Sequence, residues 1–202
     1  QFASSAASDV YKRQATSLAI DYLTSKFSLP IIGVIEPGVN LATSKTKSQS
    51  IGLVGTHSTI QSNSYGEKIK SINPEIKIFN KPCPLLVPLV EEGLIEGEIT
   101  RLIVDSYFSF FKKTEVDTVI LGCTHYPILA KVIEKALGEG ILLVDSGKAT
   151  AETVLDLLNK NRILSDKSNG EIHSFVTDSK RSFDRVITKV LKPLISINIK
   201  SI

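Results

Sequence analysis

Residues 116–144 run VDTVILGCTHYPILAKVIEKALGEGILLV, and the order of patterns within them decides the fold class. Val116–Leu121 is a short β-branched run, apolar on both faces. A six-residue loop, Gly122–Pro127, follows it, and Ile128–Leu137 then repeats apolar residues at helical spacing. After a glycine-bounded turn, Ile141–Val144 reads as a second strand. The same rhythm extends in both directions. Ile31–Ile35, Ile51–Val54, Ile76–Phe79 and Ile172–Val176 read as strands, and Ala15–Lys26, Thr59–Ile72, Glu98–Lys112, Ala149–Leu158 and Ser182–Leu191 as amphipathic helices. Strands buried on both faces and alternating with helices predict an α/β fold, a parallel sheet covered by helices on both sides.

The chain has 202 residues, of which 42% are hydrophobic and 22% charged, enough apolar content for a well-filled core. Net charge is only +3, so nucleic-acid contact is not expected, and no apolar run approaches the roughly 18 residues of a membrane helix. Two cysteines and three histidines (His57, His125, His173) show no CxxC or HxxxH spacing, so no metal site is expected. No phosphate-cradling glycine motif is found either. Two cysteines and no export signal suggest free thiols in a cytoplasmic protein. There is no methionine, and the chain opens Gln-Phe-Ala, which points to a fragment. Gln1–Gln14 has no period and resembles a translated cloning artefact, so it is set aside from fold reasoning.

In parallel α/β sheets, ligands sit beyond the carboxyl ends of the strands. There the sequence places Gly122-Cys123-Thr124-His125-Tyr126-Pro127, with Pro127 suited to a first helical turn. A thiol at a strand-to-helix junction meets backbone N–H groups and the positive end of a helix dipole, and His125 stands two residues on. Both effects lower a thiol pKa. The alternative is a buried structural cysteine beside a hydrogen-bonded histidine. His57 reads as a polar helix-start residue, Glu36-Pro37-Gly38 as a turn between lobes, Asp145 as a helix cap, and His173 as structural.

Leu121–Pro127 resembles the second catalytic motif of the glutamate racemases. Gly33–Gly38, Ile51–Thr56, Cys83-Pro84 with Pro88–Gly93, and Leu143–Gly147 resemble further blocks of that family, in its order. The resemblance implies two pseudo-symmetric doubly wound lobes with the active site between them. On that template residues 39–144 form a complete second lobe, residues 15–38 and 145–192 the remnant of an incomplete first lobe, and residues 193–202 a tail. It also implies cofactor-independent inversion of glutamate at Cα by two thiols, supplying D-glutamate for bacterial peptidoglycan. Cys123 would be one acid/base thiol. Thr124 and His125 would contact substrate, His125 would also assist Cys123, and Glu92, favoured over Glu91, would be an auxiliary carboxylate. The family's other thiol stands in a Cys-Asn-Thr motif where this chain has Lys12-Arg13-Gln14, so the chain by itself is expected to be inactive. Cys83 lies in a block separate from both catalytic motifs and is read as structural. The resemblance implies glutamate as the small-molecule partner and leaves a homodimer open. Aspartate or hydantoin racemases of the same fold, and a non-catalytic binding module, stay open as alternatives.

Overall fold

The computed structural model describes residues 19–20 and 22–165, together with the backbone of residues 172–176 and 197–201. The artefact-like segment and the expected helix Ser182–Leu191 lie outside the described residues.

Four parallel strands form the central sheet: β1 (Ser50–Gly55), β2 (Lys77–Pro82), β3 (Thr118–Leu121) and β4 (Leu142–Asp145), in the order β2-β1-β3-β4. β1 lies between β2 and β3, and β3 pairs with both β1 and β4. In β1 and β3 every residue is buried, as expected of strands covered on both faces. Alternation then sorts their side chains. Val54, Val119 and Leu121 face α4 (Leu86–Glu91), α5 (Glu98–Phe108) and α6 (Ala130–Leu137), with Phe108, Phe111 and Ile133 filling that layer. Ile51, Leu53, Ile120 and Val144 face α1 (Ile35–Lys45) and α3 (Ser64–Ile72), with Val39, Tyr65 and Ile69 filling the other layer. Each such side chain contributes about 1.5–3 kcal/mol on burial, so the two layers hold the sheet in register. α7 (Ser146–Lys160) leaves β4 directly and packs on α1. No helix among the described residues is long and apolar enough to cross a membrane.

The structure departs from the sequence reading in several places. Residues 31–33 are irregular, and Ile35 opens α1 rather than closing a strand. A β-branched run makes a strand only where a neighbour completes the ladder, and among the described residues none pairs with it. Glu36-Pro37-Gly38 is therefore the first turn of α1, where a missing proline N–H costs nothing because those donors lack intrahelical partners. The single helix expected over Thr59–Ile72 is two, α2 (His57–Gln61) and α3, broken at Asn63 with a left-handed φ of 53° that asparagine tolerates. Glu98–Lys112 divides into α5 and a 3₁₀ turn at Phe111–Lys113. Leu86–Glu91, between the strand read at Ile76–Phe79 and the helix read from Glu98, forms α4, an element the sequence reading did not include. Within the stretch taken as a tail, Ile197–Ser201 (β6) pairs in parallel with Ile172–Val176 (β5), the strand that carries His173. Phe27, Leu29, Leu155 and Ile163 expose about half or more of their surface.

At the sheet's opposite end Asp117 ties the α1–β1 loop to β3. Its carboxylate accepts from the Thr46 hydroxyl (2.7 Å), the Lys47 and Ser48 N–H groups (2.6 and 2.7 Å) and the Thr118 hydroxyl (3.0 Å). Desolvation pushes this carboxyl up, but the four hydrogen bonds outweigh it and hold the group at about 2. A depressed carboxyl stabilises the fold above its ordinary value, and that stabilisation is lost as pH falls through about 2. Asp117→Asn is thus expected to lower stability at pH 7 by about 1 kcal/mol, a figure discounted for partial solvation. In urea melts the gap between variant and parent should narrow below pH 3.

Candidate active site

In a sheet of this order the connections run to opposite sides from β1 and β3, leaving a crevice beyond their carboxyl ends. Two loops border it. After β1, Thr56 caps α2, accepting from the Thr59 N–H (3.3 Å), and its hydroxyl also meets those of Ser58 (2.9 Å) and Thr59 (3.0 Å). His57 is the first residue of α2, the helix-start position read from the sequence.

After β3, the Gly122 N–H donates to the Val54 carbonyl at 2.8 Å, carrying the ladder one residue past the strand. A Cβ on Gly122 would stand 2.8 Å from that same carbonyl, so the approach requires glycine. Cys123 follows, 2% exposed, and His125 begins a 3₁₀ turn, Tyr126–Leu129, with Pro127 in its first positions, before α6. The Tyr126 N–H donates to the Cys123 carbonyl (3.2 Å) and the Ile128 N–H to the His125 carbonyl (3.1 Å). The imidazole is close to the thiol, with Cys123 Sγ 3.9 Å from His125 Nδ1. Thr124, between them, is exposed.

His125 Nε2 faces Glu91 Oε1 at 3.8 Å, the imidazole about a quarter exposed and the carboxylate about half. Thiol, imidazole and carboxylate therefore form a line drawn from two elements. Glu91 is the last residue of α4, and Glu92, the carboxylate favoured from sequence, is that helix's exposed C-cap. The end of α4 closes as a Schellman motif: the Leu94 N–H reaches the Leu89 carbonyl (2.8 Å), the Gly93 N–H reaches the Val90 carbonyl (2.9 Å), and Gly93 takes a φ of 71°. That closure sets where Glu91 sits. Leu86, Leu89 and Val90 are the buried stripe of α4, and at helical spacing Glu91 and Glu92 flank it on either side. Periodicity alone could not choose between them.

Cys83 is fully buried. Its Sγ donates to the Lys81 carbonyl (3.5 Å), and desolvation pushes its thiol up to about 12 against the opposing pull of Lys81. Asp145 caps α7 as expected, accepting from the Gly147 and Lys148 N–H groups. Among the described residues no three His, Cys, Asp or Glu side chains cluster to hold a metal ion. A cavity of about 860 Å³ opens between residues 31–37 and α3, but none of its lining residues belongs to the Cys123 loop.

Comparison with known proteins matches residues 15–154 to the family described as Asp/Glu/Hydantoin racemase. A glutamate racemase of Geobacter metallireducens is 42% identical over 178 residues, covering 88% of this chain and 66% of that protein. Among solved structures, glutamate racemase isoform RacE1 from Bacillus anthracis superposes with a TM-score of 0.83 at 34% identity, covering 93% of this chain and 70% of that one. Glutamate racemase from Francisella tularensis, solved in complex with D-glutamate, gives 0.76 at 32% identity, covering 87% and 64%. The chain belongs to the Asp/Glu/hydantoin racemase family. Within that family the relatives quoted are glutamate racemases, and the chain spans about two thirds of the length of the curated relatives it matches.

The contrast between the two thiols is open to test. In the folded chain Cys83 is expected to resist Ellman's reagent at pH 8 and to react once urea unfolds it, as read by mapping the modified peptide.

Proposed function

We propose that this chain carries one half of a two-thiol, cofactor-independent glutamate racemase site, with Cys123 as its acid/base group. The observation that carries this reading is the line Cys123–His125–Glu91 at the carboxyl end of β3, in a chain 42% identical to a glutamate racemase. As a thiolate, Cys123 takes the α-proton of glutamate onto sulfur, and as a thiol it returns a proton to Cα. His125, charged beside Glu91, favours the thiolate. With no electron sink, the negative charge that develops on the substrate must be met by hydrogen bonds, and Thr124, exposed between Cys123 and His125, is read as one donor. Glutamate is favoured over aspartate or hydantoin because the quoted relatives are glutamate racemases, one solved with D-glutamate bound. The product would be D-glutamate for bacterial peptidoglycan, and the compartment the cytoplasm.

Inversion needs a base on one face of Cα and an acid on the other. Cys83 is fully buried and its thiol is hydrogen-bonded to the Lys81 carbonyl, so it is not read as the second. A single thiol returns the proton to the face it came from, so the 202-residue chain exchanges the α-hydrogen of one enantiomer with solvent and does not invert it. In heavy water, proton NMR should show slow loss of the α-proton from one enantiomer of glutamate, less from aspartate, and no optical inversion. Cys123→Ser should slow that exchange by roughly a hundredfold or more. Interconversion of D- and L-glutamate by this chain would overturn the single-thiol reading, and exchange unaffected by Cys123→Ser would overturn the role of Cys123.

A further inference from the structure

Tyr126 follows His125 directly, and its side chain is fully buried. Its hydroxyl donates to the Cys83 carbonyl at 2.7 Å, across 43 positions of sequence. The same carbonyl accepts the Leu86 N–H (3.2 Å), the first residue of α4, while the Cys83 N–H donates to the Gly55 carbonyl at the end of β1 (2.8 Å). The Cys83 peptide thus joins three things: the end of β1, the start of α4 and the residue after His125. α4 is only six residues long, and its far end brings Glu91 to 3.8 Å from His125. The contacts close into a ring, from His125 to Tyr126 along the chain, across to Cys83, along α4 to Glu91, and back to His125.

We propose that Tyr126 is a positioning residue for the Cys123–His125 pair, its hydroxyl holding α4 so that the Glu91 carboxylate stays opposite the imidazole. The inference rests on the reading of Cys123 as the acid/base thiol and adds what keeps that thiol activated. The carboxylate favours the imidazolium, and the imidazolium favours the thiolate 3.9 Å away. Freeing α4 at its start lets Glu91 drift and leaves Cys123 harder to ionise. Other ionisable groups on elements packed around this loop include Glu92 at the end of α4, His57 at the start of α2, the Cys83 thiol, Lys131, Glu134 and Lys135 of α6, and Asp145 of β4, the register partner of Leu121. Cys83 enters the ring by its carbonyl.

The test needs no turnover. In a chain labelled with ¹³Cβ-cysteine only two cysteine resonances exist, and Cys123→Ser assigns them. The Cys123 midpoint is then followed against pH. Tyr126→Phe should raise it by roughly half a unit to one unit, a three- to tenfold loss of thiolate at fixed pH, and Glu91→Gln should raise it at least as much. In the Glu91→Gln background, Tyr126→Phe should add nothing. A midpoint unmoved by Tyr126→Phe, or moved equally in both backgrounds, overturns the inference while leaving the role of Cys123 intact. If Cys123 instead titrates near the ordinary value of about 8.5 in the unsubstituted chain and ignores Glu91→Gln, the proposed site and this inference fall together. Cys83 monitors folding throughout, because its thiol titrates in the ordinary range only if the fold opens. Should Tyr126→Phe open it, 3-fluorotyrosine at position 126 keeps the ring and strengthens the donor. The Cys123 midpoint must then fall, and an unmoved midpoint overturns the inference.

Discussion

The register of β3 between β1 and β4 is the constraint on which the rest of the molecule depends. β3 is only four residues long, yet it is paired on both sides, and the Gly122–Val54 hydrogen bond extends the pairing one residue further. Because side chains alternate across a strand, a slip of one residue would exchange Val119 and Leu121 with Thr118 and Ile120 between two different core layers. It would also shift Cys123 and His125 relative to β1. The large side chains on each face resist that slip, and the bare Gly122 lets the chain leave the sheet tight against β1. The position of the thiol is thus decided by hydrophobic packing some distance from it.

Two buried cysteines of one core layer meet different partners. Cys83 has apolar surroundings and a carbonyl acceptor, so ionisation is opposed and the thiol stays neutral. Cys123 has an imidazole at 3.9 Å, with a carboxylate behind it. The two are nevertheless mechanically joined. The backbone of Cys83 holds the turn that carries His125 and the helix that carries Glu91. In the proposed site Cys83 takes no chemical part and serves as the frame.

The partly exposed carboxylate and imidazole fit a site that meets solvent. In water-rich surroundings a charge pair at 3.8 Å is worth little as stability. Under the proposed function its value lies in biasing which groups carry the proton, a bias that holds only while the geometry does. That requirement explains why α4 is anchored at both ends, by the Cys83 carbonyl at its start and the Schellman closure at Gly93.

The sequence by itself determined the α/β class, the strands of the central sheet to within a few residues, the junction carrying Cys123, Thr124 and His125, and the cap at Asp145. Each depends on period, turn chemistry or capping within a few neighbouring residues, which is local information. Only the tertiary structure decided that Ile35 starts a helix, since a strand exists by virtue of its partner. It also placed Glu91 opposite His125, because both glutamates border the same apolar stripe and only the docking of α4 separates them. The Tyr126–Cys83 bond spans 43 residues, and nothing near either residue announces the other. Such contacts arise when independently patterned elements pack, so they are legible only once the packing is known.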